Sequence, residues 1–163
     1  MGDSLTVGTE PWLGADLGRL GWSMTGVDAR VGRGVAEGLA VLRLRAASLP
    51  PTVVVALGTN DYGDDPTVVV SWLRSVRAVA GGRRVVWVNL CPDDAIAPRL
   101  APYRRINAAL TRDGPAFGVQ VADWCAFAGR NGLTPGPDGV HYRSAAYQQR
   151  AAFYADLVAG ITP

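Results

Sequence analysis

Short apolar runs alternate along the chain with segments whose apolar residues recur every three or four positions. TVVVALG, from Thr52, and RRVVWVNL, from Arg83, are near-continuous and rich in valine. Such runs suit strands buried on both faces of a parallel sheet. The pattern predicts four strands, over 23–29, 52–57, 84–90 and 119–122. Between them lie helical patterns. PWLGADLGRL puts Pro11 at the expected first helical position and spaces Leu13, Leu17 and Leu20 along one face. VAEGLAVLRLRAASL aligns Leu39, Leu42 and Ala46. TVVVSWLRSVRAVAG aligns Val69, Trp72, Leu73, Val76 and Val79, and Gly81-Gly82 stops it. YRRINAALTRDG places Tyr103, Ile106 and Leu110 on one face and ends at Gly114. A last helix starts at Ser144, read as its cap.

Strand and helix alternate throughout, which argues for an α/β sandwich with a central parallel sheet. Ligands of such folds bind beyond the carboxyl ends of the strands. The 163 residues match one domain spanning the whole chain, and no repeat or linker interrupts them.

Composition narrows the chemistry. The chain is 48% hydrophobic and 18% charged, and no apolar run nears the ~18 residues of a membrane span. A charged start followed by an apolar core is missing at the amino end, so a cytoplasmic location is the default expectation. All 16 basic residues are arginine. Without lysine there is no Schiff base and no phosphate loop ending in Gly-Lys-Ser/Thr. A net charge of +2 with scattered arginines argues against a nucleic-acid partner. Cys91, Cys125 and the single histidine are too few for a zinc site, and neither a metal nor a cofactor is expected.

That histidine, His141, stands in PGPDGVHY with Asp138 three residues before it. On one short turn a carboxylate can fix an imidazole's tautomer and stabilise its charged form. A base so oriented needs a nucleophile, and Ser4 in MGDSLTVG is the candidate; its alternative role is a cap on the first helix. Asn60 follows the apolar run 52–57 and can donate its side-chain amide to charge developing on a carbonyl oxygen. Glycines 32, 34 and 38 follow the predicted strand 23–29. Their GxGxxxG spacing is one residue too long for a dinucleotide fingerprint. A turn there can aim a backbone N–H into the site, from Gly32 or from Arg33. Thr6 breaks the G-x-S-x-G elbow of another hydrolase plan.

Gly2-Asp3-Ser4-Leu5, Gly58-Thr59-Asn60-Asp61 and Asp138-Gly139-Val140-His141 resemble three signature blocks of the SGNH (GDSL) hydrolase family, in the family's order. The resemblance implies a flavodoxin-like α/β/α fold. It also implies a serine esterase acting on small carboxylic esters, O-acetyl or short acyl groups, including those on a carbohydrate. By it Ser4 is the nucleophile, Asp138 and His141 complete the triad, and Ser4, Asn60 and the Gly32 or Arg33 amide form the oxyanion hole. The segment VDARVGR is similar to the SGNH domains of bacterial O-acyltransferases, so acyl transfer to a sugar hydroxyl is one alternative. An inactive binding module is the other.

In that family a first strand precedes the serine block, whereas here only Met1 does, so the strand is expected to be missing or very short. Asp3 and Asp61 are expected to hold their loops by accepting backbone hydrogen bonds. Asp64, Asp65, Asp93 and Asp94 are read as solvated loop charges or a loose cation site. CPDDAIAPRLAP and 124–134 are candidate walls of an acyl pocket. Cys91 and Cys125 follow strands expected to be neighbours, so a disulfide is geometrically conceivable; with no exported context, free thiols are expected.

Overall fold

The structure is a computed structural model that describes residues 1–61, 65–93 and 95–160. Three parallel strands, β1 (Thr52–Val55), β2 (Arg84–Val88) and β3 (Val119–Ala122), pair in the order β1-β2-β3. Val53 faces Val85 across the first ladder and Trp87 faces Val121 across the second. Successive side chains of a strand point to opposite faces, so each run of valines feeds two cores. Val53, Val55, Val85 and Trp87 pack with α2 (Val35–Leu44), α3 (Val68–Ala80) and α4 (Pro102–Asp113). Ala56, Val86, Val88 and Ala122 pack with α1 (Ser4–Arg19), α5 (Trp124–Arg130) and α6 (Ser144–Ala159). The expected α/β/α sandwich is therefore formed, and the apolar faces of α3 and α4 are those that their spacing predicts.

The sheet departs from expectation at its first edge. Segment 23–29 is not a strand. It carries a tight turn at Met24–Gly26, and only Ala29 makes a bridge. A strand needs a ladder, and among the described residues this segment bridges only Gly2. Gly2 bridges Ala29 on one side and Ala56 on the other, both in parallel. The Ala56 amide donates to the Met1 carbonyl at 2.9 Å, and the Met1 amino group donates to the Val54 carbonyl at 2.9 Å. Met1 and Gly2 thus lie where the family's first strand is expected, beside β1. Beside it lies an apolar cavity of about 300 Å³, lined by Leu13, Leu17, Val27 and Val53 among others. Burial pushes the Met1 amine down to about 6, and Arg33 and Arg45 add to this against the pull of Asp28.

The helices differ from expectation in three places. α1 begins at Ser4 and carries Pro11 in its interior. Asp3 is its cap, accepting the Leu5 amide at 2.9 Å, so the helix starts well before the proline that the pattern took as its first turn. Arg143, without a side-chain cap bond, precedes α6; Ser144 is already helical. Segment 124–134 contains α5, whose first residue, Trp124, is fully buried against Tyr142 and Phe153.

Cys91 and Cys125 form a disulfide, contrary to the free thiols expected. β2 and β3 are neighbours, and each cysteine stands three residues beyond its strand, which brings their Cα atoms to 4.9 Å.

Candidate active site

α1 and α6 pack side by side on one face of the sheet. Their first turns meet at Gly8 and Tyr147, where a Cβ on Gly8 would fall 2.4 Å from the tyrosine ring. This close approach aligns the two helix starts and so unites the chain's distant ends. Ser4 opens α1, and His141 stands three residues before α6. The Ser4 Oγ lies 2.9 Å from His141 Nε2, across 137 residues of sequence.

The other imidazole nitrogen, Nδ1, lies 2.6 Å from Asp138 Oδ2. Asp138 Oδ1 accepts the Val140 and His141 amides at 3.0 and 2.9 Å. Burial pushes the Asp138 carboxyl up, but the bonds from the His141 ring and the two amides outweigh it and hold the group at about 2. An ionised acceptor at Nδ1 places the ring proton there and leaves the Nε2 lone pair facing Ser4. Ser4 is therefore not the helix cap: Asp3 has that role, and the hydroxyl is directed at the imidazole.

The segment after β1 is held from several sides. Trp87 donates its indole N–H to the Leu57 carbonyl at 3.1 Å, and the Tyr103 hydroxyl donates to the Thr59 carbonyl. Both Asp61 oxygens lie 3.1 Å from the Val35 amide, at the start of α2. Asp61 and Asp3 thus do what their positions suggest. Asn60 is exposed and donates one amide hydrogen to the Arg33 carbonyl at 3.0 Å, which joins it to the glycine turn. Gly32 has φ +75°, a conformation that favours glycine. The Arg33 amide is occupied, donating to the Arg30 carbonyl at 3.2 Å. The Arg30 amide donates in turn to the Gly2 carbonyl at 3.2 Å, two residues from Ser4.

One contributor was not visible in sequence. The Arg33 guanidinium is buried, pairs with Asp28 at 2.7 Å and donates to the Asp28 carbonyl at 3.0 Å. It fastens the glycine turn to the shortened edge of the sheet. An arginine between two glycines carries no periodic signal that would announce this.

Among the acidic loop residues, Asp65 accepts the Thr67 amide and Asp93 the Ile96 amide. Asp64 and Asp94 lie outside the described residues. Among the described residues no group of three His, Cys, Asp or Glu side chains could hold a metal ion, and no helix is long and apolar enough to cross a membrane. Asp93 also donates its amide to the Gly139 carbonyl at 3.0 Å, so the 91–101 loop supports the Asp138–His141 turn from behind.

No protein-family model matches the sequence, and no curated protein matches it. Solved structures do. The C-terminal catalytic domain of Streptococcus pneumoniae peptidoglycan O-acetyltransferase A superposes with a TM-score of 0.74 at 22% identity, over 98% of this chain and 88% of that one. A lipase/acylhydrolase from Enterococcus faecalis gives 0.76 at 18% identity, over 98% and 93%. A family 3 carbohydrate esterase from Clostridium thermocellum gives 0.73 at 15% identity, over 100% and 96%. The chain therefore has the flavodoxin-like fold of the SGNH (GDSL) hydrolases.

Proposed function

We propose that this chain is a serine esterase of the SGNH type, cleaving O-acetyl or other short acyl groups through an acyl-enzyme. The observation that carries the reading is the continuous relay from Ser4 through His141 to Asp138, at 2.9 and 2.6 Å. Ser4 Oγ attacks the ester carbonyl carbon as its proton passes to His141 Nε2. Asp138 stabilises the imidazolium. The carbonyl electron pair moves onto oxygen, then returns and expels the alcohol, which takes the proton from Nε2. Water, deprotonated by the same nitrogen, cleaves the acyl-enzyme.

Three donors serve the oxyanion. The Ser4 amide is the first of α1, where helix N–H groups have no intrahelical acceptor and the helix dipole is positive. Asn60 offers its second amide hydrogen. For the backbone donor we assign Gly32 rather than Arg33, since the Arg33 amide already closes its own turn on Arg30. Each such donor contributes a factor of ~10²–10³ in rate.

The side chains of His141 and Asp138 are 48% and 47% exposed, so the acyl group meets the enzyme at an open surface. The apolar cavity beside Met1 is lined by none of Ser4, Asn60, Asp138 or His141. Both features suit a short acyl group on a bulky polar alcohol, such as a carbohydrate. The similar structures include a carbohydrate esterase and an O-acetyltransferase domain, which supports this substrate class. The Cys91–Cys125 disulfide supports action in an oxidising compartment, against the cytoplasmic default.

The test is hydrolysis of para-nitrophenyl esters of increasing acyl length by the purified protein and by its Ser4→Ala variant. The reading expects turnover of the acetyl ester that Ser4→Ala abolishes. Turnover unchanged in Ser4→Ala, or none by the folded parent, would overturn it.

A further inference from the structure

The three donors proposed for the oxyanion sit on three pieces of chain: the start of α1, the turn at 30–34 and the segment after β1. Packing does little to hold the middle piece. Val31 is 64% exposed, and a Cβ on Gly32 would meet nothing within 4 Å. A turn with so few contacts opens readily unless polar bonds close it. Arg33 supplies such bonds. It is 5% exposed although it carries a charge. Its Nη1 pairs with Asp28 at 2.7 Å and donates to the Asp28 carbonyl at 3.0 Å and, at the longer distance of 3.4 Å, to the Gly2 carbonyl. Gly2 is pressed onto α1, since a Cβ there would run into the Thr6 side chain. The Arg33 carbonyl accepts the Asn60 amide at 3.0 Å. One residue therefore follows Gly32, holds Asn60 and reaches the stretch that leads into Ser4.

We infer that Arg33 is a positioning residue: its buried side chain sets the Gly32 N–H and the Asn60 amide where the oxyanion on a Ser4 adduct requires them. The role deepens the esterase reading and rests on it. Oxyanion donors act only when held within ~0.5 Å of the productive geometry. A guanidinium suits the task, because its planar fork fixes several acceptors in set directions at once. The turn keeps other ties. The Arg30 amide donates to the Gly2 carbonyl at 3.2 Å, and the Val35 amide lies 3.1 Å from Asp61. Loss of the Arg33 side chain therefore loosens the turn without detaching it. Asp28 also keeps a second partner, Arg45 at 2.6 Å, so its carboxylate is not left bare.

Two readouts test this. The first is kinetic, with para-nitrophenyl acetate. Arg33→Met keeps the length of the side chain and removes its polar head. Its kcat is expected to fall ~10²-fold with KM little changed, the signature of a displaced transition-state contact. The same change made in Asn60→Ala costs much less, because one of the donors that Arg33 places is already gone. Parental kcat, a loss confined to KM, or two factors that multiply in full would each overturn the inference. Should Arg33→Met not fold, Arg33→Lys replaces it. The ammonium keeps a charge beside Asp28 but lacks the fork, and kcat falls about tenfold; a parental kcat there overturns the inference as well.

The second readout needs no activity. The backbone amides of residues 30 and 33 close the turn on the Gly2 and Arg30 carbonyls. Their hydrogen exchange, followed by NMR, is expected to quicken by about tenfold or more in Arg33→Met, while exchange in α3 stays at the parental rate. Exchange at residues 30 and 33 that matches the parent overturns the inference. Exchange that quickens as expected in a protein that hydrolyses no ester upholds Arg33 as the anchor of the turn and removes the esterase reading instead.

Discussion

Replacing Asp138 by asparagine alters the relay while keeping its shape. In the parent, Asp138 Oδ1 accepts two backbone amides, at 3.0 and 2.9 Å, and Oδ2 faces His141 Nδ1 at 2.6 Å. Asparagine has one oxygen. If it stays with the two amides, the new NH2 faces Nδ1 and requires that nitrogen to be an acceptor. The ring proton then moves to Nε2, which donates to Ser4 and can no longer take the serine's proton. The opposite orientation sets the NH2 against two N–H donors and forfeits both bonds, at ~1 kcal/mol each. The wrong tautomer is therefore the stable one. Losing a triad carboxylate this way lowers turnover by ~10⁴, or about 5.5 kcal/mol in the barrier. Stability responds far less. The carboxyl is about half exposed, and solvent screening limits its contribution to about 1 kcal/mol or less. The assay is kcat/KM on para-nitrophenyl acetate, with a thermal melt on the same sample. A loss of activity under about tenfold, with the melt unchanged, would refute the tautomer argument.

Other perturbations give equally definite expectations. Asn60→Ala removes one oxyanion donor and is expected to lower kcat by ~10²–10³ with KM little changed; a loss confined to KM would place Asn60 in binding instead. Removing the disulfide with Cys91→Ala and Cys125→Ala frees a 34-residue loop, with an expected cost of about 3–4 kcal/mol in denaturant unfolding. A cost under about 1 kcal/mol would mean that the hydrogen bonds around Asn89 and Asn107 hold that edge unaided.

Much of this fold is legible in the chain because its strands are buried on both faces. TVVVALG and RRVVWVNL must be strands between helices, and the stripes led by Trp72 and Ile106 must face them. The Ser4–His141–Asp138 hydrogen-bonded chain is legible because Asp138 and His141 share one turn, and because the three signature blocks keep their order. Segment 23–29 is misread for a physical reason: a strand exists through its partners, and local pattern does not report that among the described residues this segment bridges only Gly2. Pro11 is misread because proline favours a first helical turn, whereas the Asp3 cap and the contact of Gly8 with Tyr147 set the helix earlier. The sequence favours free thiols over the disulfide because it reads compartment from a leader pattern, while the bond depends on two strand ends meeting at one edge of the sheet. Arg33 and Arg150 look like ordinary polar residues until tertiary structure buries them.

The most direct test of the central claim is covalent capture of the nucleophile. The protein is treated with a fluorophosphonate, which phosphonylates an activated serine, and the adduct is located by peptide mass spectrometry. The account predicts one adduct, on Ser4, forming far more slowly in Asp138→Asn. Labelling that persists in Ser4→Ala, or a folded protein that leaves the reagent untouched, would contradict it.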